Sequence, residues 1–197
     1  MRESAARPRR GKPADTRARL VAAAAEVFNR VGFRGTDSNR LARAAGYAPG
    51  TFYKHFPDKR TIFLAAYEAW VTAEWATVER VLTADTSRTA RAATLVEAIL
   101  AMHRRWRGLR ASLRALVADD PVARRFYRAQ RKRQLELLAR LSARRGVAPV
   151  PRAEHAVLLY AIERVSDAVA DGELRELGLR SEEVVGELRA LIESHLP

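Results

Sequence analysis

A stretch of fourteen residues, 46–59, carries the side chains best suited to contact another molecule, and it reads GYAPGTFYKHFPDK. A buried helix does not hold two lysines and a proline, and a solvated loop does not hold four aromatic residues. Its hydroxyl, ammonium and imidazole groups can donate hydrogen bonds to the phosphates and base edges of a DNA duplex. The composition therefore predicts a surface that contacts nucleic acid. The alternative is an ordinary helix corner with a solvated basic face.

The same stretch has a pattern that would hold those donors in place. Phe52 and Phe56 lie four residues apart, so they share one face of a helix and can anchor it on a core. Pro49 suits the first turn, where a backbone N–H has no helical partner in any case. Gly50 puts no side chain over that helix end, whose exposed N–H groups attract anions. We predict a short helix over residues 49–56 with an aromatic inner side and a donor-rich outer side.

Two further helices are predicted before this one. The first begins near Asp15 or Thr16, follows an apolar stripe of helical period and ends at Gly32 in a left-handed turn. The second is capped by Thr36 and ends at Gly46. The second and third helices, with the glycine turn between them, form a helix-turn-helix.

The rest of the chain is also predicted to be helical, because strand alternation is found nowhere in it. Asp58 is expected to cap a fourth helix, and a helix that starts at Asp120 is expected to reach about Arg145. Residues 171–180 are expected to be a loop. The remaining helices are expected at residues 88–107, 109–117, 152–171 and 181–195. The predicted fold class is all-α, with about nine helices.

Residues 16–70 closely resemble the N-terminal domain of TetR-type transcriptional regulators. Three motifs carry the resemblance: the pattern F…GF.GT in residues 28–36, the run LARAAG in residues 41–46 and the run GTFYKHFPDK in residues 50–59. As a set these motifs are highly specific. They lie within about a quarter of the chain, and the later helices match the family only in number, length and order.

The resemblance implies a two-fold dimer in which each subunit has a DNA-binding head and a helical body that binds a small molecule. Residues 1–14 would be a flexible basic arm, residues 15–60 the helix-turn-helix domain, and residues 61–197 the effector-binding and dimerisation domain. The implied partners are double-stranded DNA with an inverted-repeat operator, a second copy of the chain and a small-molecule effector of unknown identity.

The resemblance also implies which residues contact DNA. The third helix would face the DNA, Lys59 would hold a phosphate at the start of the fourth helix, and Thr36 would donate from the start of the second helix. Together with residues of the second helix, the expected contacts are Thr36, Asn39, Arg40, Pro49, Gly50, Thr51, Tyr53, Lys54, His55 and Lys59.

Three departures from the family pattern affect these contacts. Ala48 stands where family members often have a capping hydroxyl, and Pro49 stands where they often have Lys or Arg, so one cationic contact is lost. Ser38 replaces a common aliphatic residue. Asn39 and Arg40 replace a frequent basic–acidic pair, and they either add DNA contacts or are solvated.

Bulky aromatic residues and one histidine lie on the helices that surround the effector cavity in that family. At helical spacing such residues usually belong to the core, so core and pocket are both open interpretations. His103, in the apolar stripe ILAMHRRW, is expected to be a core or pocket histidine with a polar partner rather than a catalytic one. The candidate pocket residues are Phe63, Tyr67, Trp70, His103, Trp106, Phe126, Tyr127 and Tyr160.

The last two long helices carry broad stripes of small and branched residues, which allow helices to approach closely. The family places its dimer bundle here, and a net charge of −5 over residues 151–197 keeps this end away from DNA. The expected interface residues are Val157, Ala161, Val165, Val184, Leu188, Leu191 and Ile192.

Charge is distributed unevenly along the chain, whose net charge is +13. Residues 1–60 carry +9 and residues 101–150 carry +11. An Arg- and Ala-rich composition explains part of the total but not the asymmetry, which favours a polyanion-facing N-terminus. The basic run from Arg104 to Arg133 is a solvated face, a site for an anionic effector, or a second contact with DNA phosphates.

The sequence also argues against several kinds of chemistry. It contains no cysteine, which excludes disulfides, cysteine–zinc sites and thiol nucleophiles. No two of the four histidines have metal-ligand spacing on one helix, and no glycine-rich phosphate loop or nucleophile elbow is present. We therefore expect no metal, no cofactor and no catalytic residue. Without a secretory signal or an apolar span, the protein is expected to be cytoplasmic and to have no membrane partner.

The sequence thus predicts a DNA-binding transcriptional regulator, and within that class a repressor that a small-molecule effector releases from its operator. The alternative is a helical DNA-binding protein that senses no small molecule. A helical enzyme or scaffold with a basic surface is a third class. Salt-dependent protection of a specific DNA separates the first two from the third, and an effector that releases the DNA separates the first from the second.

Overall fold

The computed structural model describes residues 13–143 and 150–196, and in that part of the chain every regular element is an α-helix. The all-α fold class is confirmed, with ten helices in the described residues where about nine were expected. They are α1 (Pro13–Val31), α2 (Ser38–Ala44), α3 (Pro49–Tyr53), α4 (Lys59–Thr83), α5 (Arg88–Arg105), α6 (Arg107–Asp119), α7 (Pro121–Ala143), α8 (Arg152–Asp171), α9 (Glu173–Glu176) and α10 (Ser181–His195).

The chain divides into two compact units, Met1–Ala69 and Trp70–Pro197. The first contains α1 to α3 and the start of α4, and the second contains the rest of α4 and all later helices. Within the described residues, no helix has the length and apolar character needed to cross a membrane.

Several helix ends differ from the sequence predictions. α1 begins at Pro13 rather than at Asp15 or Thr16, and Thr16 is buried inside the helix rather than capping it. α3 ends at Tyr53, three residues before the expected end at Phe56.

The segment 171–180, expected to be a loop, contains the single helical turn α9. Most of the predicted N-terminal arm, residues 1–12, lies outside the described residues. So do residues 144–149, where the helix after Asp120 was expected to end.

The N-cap of α2 is Asp37, so the prediction that Thr36 caps this helix is wrong. The Asp37 carboxylate accepts a hydrogen bond from the backbone N–H of Arg40 at 2.9 Å, which satisfies one of the unpaired donors of the first turn. This bond holds the pKa of Asp37 below its usual value. Thr36 lies one residue before the cap, and it is buried. The predicted cap of α4 is confirmed, since the Asp58 carboxylate accepts from the backbone N–H of Thr61 at 2.7 Å.

Aromatic side chains form the core of the N-terminal unit. Phe28, Phe52, Phe56 and Phe63 are all buried, which confirms the prediction that the two phenylalanines of residues 49–56 anchor their helix. Phe28 and Phe63 meet edge to face with ring centroids 5.0 Å apart, the geometry that the charge distribution of aromatic rings favours. α2 packs against both α1 and α3, so the helix-turn-helix rests on this core.

Two glycines end helices in this unit, and a third permits a close backbone approach. Gly32 and Gly46 have φ angles of 73° and 80°. The left-handed turn predicted at Gly32 is confirmed, and Gly46 follows α2 in the same conformation. A Cβ atom at Gly35 would lie 2.2 Å from the carbonyl oxygen of Val31. A Cβ at Gly50 would meet no atom within 4 Å.

In the C-terminal unit, α5 packs against α8 and α10, and the end of α4 completes the same core. Leu95, Val96 and Ile99 of α5 meet Leu188 and Ile192 of α10 in this cluster. The apolar stripe of α10 is therefore used largely inside the subunit.

We predict that Gly35→Ala destabilises the N-terminal unit by roughly 1–3 kcal/mol, because the added methyl group can only be accommodated by moving backbone. Gly50→Ala is the matched control, and it should change stability by less than about 0.5 kcal/mol. Urea denaturation monitored by circular dichroism gives both values. Equal stability of the two variants would show that the close approach to Val31 is not a real constraint.

Candidate functional site

The outer face of α3 carries the polar groups that were expected to contact DNA. Behind it, Phe52 and Phe56 are buried, whereas the Tyr53 side chain is 57% exposed. Lys54 is exposed, and Thr51 and His55 are partly exposed. The helix therefore holds a hydroxyl, a phenol, an ammonium and an imidazole group on a rigid aromatic base.

The start of α3 is open. Its N-cap residue, Ala48, makes no side-chain hydrogen bond to the first turn. Pro49 is the first helical residue, as predicted. Because a Cβ at Gly50 would meet nothing within 4 Å, the fold itself does not require glycine there.

Lys59 bridges the start of α4 to the α1–α2 connection. Its Nζ donates to the carbonyl oxygens of Phe33 and Thr36 at 2.9 and 2.8 Å, and it lies 4.4 Å from the centre of the Phe33 ring. Two of its three N–H bonds are therefore used within the unit. Lys59 therefore holds the α1–α2 connection against the start of α4. The predicted contact of Lys59 with a DNA phosphate would be an additional role.

Of the expected DNA contacts near α2, Asn39 and Arg40 are exposed and Thr36 is buried. Arg40 also donates from its Nη1 to the Gly35 carbonyl oxygen at 3.2 Å, which holds its side chain along the preceding turn. A direct DNA contact from the Thr36 hydroxyl would need this buried group to be uncovered.

The C-terminal unit contains a group of buried charges, here called the ion cluster: Glu74, His103, Arg110, Arg131, Glu163 and Asp167. Arg110 donates from Nε and Nη2 to the two carboxylate oxygens of Asp167 at 2.7 and 3.0 Å, a bidentate pair. Its Nη2 also donates to Glu163 at 2.9 Å, and Arg131 pairs with the same Glu163.

His103 completes the ion cluster between two carboxylates. Its Nδ1 lies 3.0 Å from Asp167 and its Nε2 lies 3.4 Å from Glu74. Burial alone would lower the pKa of His103, but the two carboxylates outweigh it and raise the pKa above 6.5. Burial would likewise raise the pKa of Asp167, but His103 and Arg110 hold it well below its usual value. The expectation that His103 is a buried histidine with a polar partner is confirmed.

Aromatic rings cover the guanidinium groups of the ion cluster. The Arg110 guanidinium lies 5.1 Å from the centre of the Trp70 ring, and that of Arg131 lies 4.6 and 5.6 Å from the centres of Tyr127 and Tyr160. Such cation–π contacts are worth more when water is excluded. Of the eight candidate pocket residues, three therefore contact the guanidinium groups of the ion cluster, and a fourth, His103, is a member of it.

An apolar cavity of about 130 Å³ lies elsewhere in the C-terminal unit. Its wall is mainly aliphatic, with side chains from α4, α5, α7, α8 and α10 and the indole of Trp75. The polar groups in the wall are those of Thr83, Arg91, Ser142, His155 and His195. A second, more open cavity is lined by residues of α4 and α7, among them Trp75, Glu79, Gln130 and Arg133.

The sequence of the N-terminal unit is similar to a known family of proteins. Residues 20–66 match the model of the bacterial regulatory proteins of the tetR family, and this span contains the helix-turn-helix and its aromatic core. The N-terminal unit is therefore similar to this family of regulatory proteins. The resemblance drawn from the three motifs is thereby confirmed over residues 20–66.

Solved structures share the fold over nearly the whole chain. A protein assigned to the TetR-family transcriptional regulators from Rhodococcus sp. is 18% identical, with a TM-score of 0.75 over 93% of this chain and 100% of that one. Another from Mesorhizobium loti is 20% identical, with a TM-score of 0.73 over 93% and 96%. A transcriptional regulator from Saccharomonospora viridis, solved in complex with choline, is 21% identical, with a TM-score of 0.71 over 93% and 98%. No curated protein sequence matches the chain.

The eight predicted effector-pocket residues line neither of the two cavities described above. Phe63 and Tyr67 are buried in the N-terminal unit, and Trp106 lies at the junction of α5 and α6. Phe126 is half-buried on α7. The cavity wall is instead built mainly from aliphatic residues such as Leu95, which were not among the predicted pocket residues.

The predicted dimer residues fall into two groups. Leu188 and Ile192 are 3% and 1% exposed and belong to the subunit's own core, so their side chains are covered within the subunit. Val157 and Leu191 are 70% and 39% exposed. The others, Ala161, Val165 and Val184, are half-buried.

The basic run from Arg104 to Arg133 is divided among different roles. Arg110 and Arg131 are buried in the ion cluster, and Arg124 donates to the carbonyl oxygens of Val117 and Ala118 near the end of α6. Exposed residues such as Arg128 and Lys132 remain on the surface. The interpretation of the whole run as one solvated face is therefore wrong.

Sequence reasoning missed the ion cluster, although a signal was available. Glu163 and Asp167 lie four residues apart on α8, on the side that also carries the buried Leu159 and Ser166. Arg110 similarly lies between the buried Leu109 and Leu113 of α6. Charged residues placed on an apolar helical stripe indicate a buried pair, because an unpaired charge there would be costly.

We predict that His103→Gln removes more stability at pH 6 than at pH 9. The folded-state pKa of His103 is raised, so its contribution is complete below about 6.5, the unfolded value, and is lost as the pH rises through the folded value. His155→Gln should show the opposite trend, since burial lowers the pKa of His155. Urea denaturation of wild type and both variants at the two pH values measures the differences. A His103 effect independent of pH would show that the imidazole is not charged in the folded protein.

Proposed function

We propose that this TetR-family regulator is a dimeric repressor that binds an inverted-repeat operator and releases it when a small molecule occupies the apolar cavity. The observation that carries the proposal is the outer face of α3, where donor groups stand on a buried aromatic base. Tyr53 is the clearest case, because a large aromatic side chain is left 57% exposed next to the buried Phe52. The proposed function requires no catalytic residue. Because the protein would bind genomic DNA, we also propose a cytoplasmic location.

In this proposal, different side chains of α3 and its neighbours contact different parts of the DNA. Thr51, Tyr53, Lys54 and His55 contact base edges and phosphates, and Gly50 and Pro49 allow the helix start to approach the duplex. Lys59, Asn39 and Arg40 add phosphate contacts around α2 and α4, with Lys59 also fixing that region through its two carbonyl contacts. Phosphate contacts fix the position of the protein, and base contacts select the sequence.

The proposed dimer surface is the exposed apolar part of α8 and α10. Val157 and Tyr160 lie three residues apart on α8 and are 70% and 50% exposed, and Leu191 of α10 is also exposed. Leu177 and Leu179 extend the exposed apolar surface beyond α9. A two-fold dimer places two recognition helices on the same side of the DNA, at half-sites about 34 Å apart.

The proposed sensing mechanism uses α4, which contributes to both units. Trp75, Val78 and Leu82 in its second half line the apolar cavity, and its first residues belong to the N-terminal unit. A ligand that displaces the second half of α4 would change the spacing of the two heads. The choline-bound regulator from Saccharomonospora viridis supports a small-molecule site in a body of this fold.

We expect Thr51→Ala and Lys54→Ala each to weaken operator binding by roughly 1–3 kcal/mol, because each removes a donor from the outer face of α3. Each variant should also lose sequence preference at the base pairs that the removed donor contacts. Genomic fragments selected by the purified protein supply the operator, and fluorescence anisotropy at several salt concentrations supplies the affinities. Lys132→Ala, an exposed lysine on α7, is the matched control. If the control loses as much affinity as Lys54→Ala, the basic run of the C-terminal unit contacts DNA. Unchanged sequence preference in both α3 variants would contradict the role of α3.

We also expect Val157→Glu combined with Leu191→Glu to produce a folded monomer, because both side chains are exposed and lie on the proposed dimer surface. Ala111→Glu on the exposed side of α6 is the control and should leave the dimer intact. Leu188→Glu should instead unfold the protein, since its side chain is in the subunit core. Analytical ultracentrifugation and circular dichroism separate these results. An intact dimer in the double variant would place the interface elsewhere.

A further inference from the structure

The wall of the apolar cavity contains a buried imidazole nitrogen that makes no hydrogen bond. His155 is 7% exposed and lines the cavity, and within the described residues its Nε2 is fully buried and has no hydrogen-bond partner. A buried polar atom of this kind is costly, so such atoms are rare unless another molecule satisfies them. A bound water molecule needs about two to four polar partners, which a mainly aliphatic wall supplies poorly.

The charged side chains of the wall are engaged within the subunit. The Nη1 of Arg91, a buried residue of α5, donates to the carbonyl oxygen of Thr86 at 3.0 Å. The Nδ1 of His195 lies 2.7 Å from the carbonyl oxygen of Leu191, and its Nε2 lies 3.5 Å from Glu154. A charged ligand would have to leave water for a wall whose charged groups already have partners, which is costly. An uncharged ligand avoids that cost.

The imidazole of His155 is itself mainly uncharged at pH 7, because burial lowers its pKa. One nitrogen of a neutral imidazole donates and the other accepts, and the tautomer decides which role Nε2 has. A hydroxyl group both donates and accepts, so it can satisfy Nε2 in either tautomer. A carbonyl group only accepts, so it fits one tautomer alone.

We propose that the cavity binds an uncharged alcohol or phenol whose hydroxyl group forms a hydrogen bond with the Nε2 of His155. The cavity of about 130 Å³ is close in size to one that binds benzene, so the apolar body of the ligand has roughly six to eight carbon atoms. This body packs against Trp75, Leu95 and Ile99, which line the cavity. The proposal rests on the proposed function and adds the chemical class of the effector.

Phenol and toluene test the hydrogen bond, because they have nearly the same shape and differ in one hydroxyl group. Isothermal titration calorimetry gives the dissociation constants of both probes for the full chain and for His155→Phe, which keeps an aromatic ring but removes both nitrogens. Toluene is the more hydrophobic probe, so the informative quantity is the change between the two proteins in the toluene-to-phenol ratio of dissociation constants. We expect this ratio to fall at least tenfold in the variant, because phenol binds more weakly. A ratio within about threefold of the wild-type value would overturn the proposal, and so would the absence of phenol binding by the wild type.

The matched control is His195→Phe, which makes the same substitution at the second histidine of the wall, where both nitrogens have partners. It should leave the ratio within about threefold of the wild-type value. A change as large as that of His155→Phe would contradict a specific role for His155. If circular dichroism shows that His155→Phe does not fold, His155→Leu replaces it with the same expected fall in the ratio.

Benzoate tests whether the ligand is uncharged, because its carboxylate is ionised at pH 7. It should bind the wild-type protein more weakly than phenol, since the carboxylate loses its hydration in a mainly aliphatic cavity. Equal or tighter binding of benzoate would overturn the uncharged class.

Nitrogen NMR of the histidine side chains gives a second readout of the hydrogen bond. In the full chain labelled with nitrogen-15 in histidine, the His155 signals are identified by their loss in His155→Phe. Phenol should shift the Nε2 signal of His155 more than toluene does, because only phenol forms a hydrogen bond with that atom. Equal shifts with the two probes would contradict the hydrogen bond.

The effector mechanism is tested separately, by titrating the protein–operator complex with phenol. Release of the operator supports both the proposed function and the ligand class. Phenol binding that depends on His155 but does not release the operator overturns the effector-controlled part of the proposed function and leaves the ligand class supported. Failure to bind any specific DNA overturns the proposed function alone, because the calorimetric result does not depend on the operator.

Discussion

Asp167 is the residue on which the C-terminal unit depends most. Its buried carboxylate contacts His103 of α5 and both Arg110 and Arg114 of α6. Glu163, one turn earlier on α8, extends the same contacts to α7 through Arg131. Removing one member of such a buried group typically costs about 3–5 kcal/mol, because the remaining charges lose their partners. The ion cluster therefore joins three helices, α5, α6 and α7, to α8.

The ion cluster also explains why a histidine, rather than an uncharged residue, lies at position 103. The His103 imidazole lies between the carboxylates of Asp167 and Glu74. These two carboxylates stabilise the protonated imidazole, which is the physical reason that the pKa of His103 rises despite burial. The rings of Trp70, Tyr127 and Tyr160 lie over the guanidinium groups, so these aromatic residues stabilise charges rather than line either described cavity.

The N-terminal unit could be predicted from sequence in some detail because its signals are local. The glycines after α1 and α2, the aspartate before α4 and the four-residue spacing of Phe52 and Phe56 each specify a turn, a cap or a face on their own. The error at Thr36 is of the same local kind. Thr36 and Asp37 are adjacent, and the side chain of either can cap a helix. Only the path of the backbone decides whether the Thr36 hydroxyl or the Asp37 carboxylate reaches the N–H groups of the first turn.

The C-terminal unit could be predicted only in outline because its site depends on contacts between distant helices. A cavity is a region that side chains fail to fill, so it has no sequence motif, and aromatic residues are a poor guide to it. The stripe on α10 shows the same limit. Leu188 and Ile192 are covered by α5 within the subunit, whereas Leu191, one position away, is exposed. An apolar stripe reveals that a face is covered but not whether the subunit or a partner covers it.

The cavity and the ion cluster meet at two consecutive residues of α4. Glu74 contacts His103 in the ion cluster, and Trp75 lines the cavity. A ligand that occupies the apolar cavity of about 130 Å³ gains van der Waals contacts with its wall. In the proposed sensing mechanism, a ligand that contacts Trp75 acts on a helix whose Glu74 lies 3.4 Å from His103, a longer contact than the 3.0 Å between His103 and Asp167. The bidentate Arg110–Asp167 pair joins α6 and α8 at shorter distances. The longer contact to α4 is consistent with the proposal that α4 transmits ligand binding.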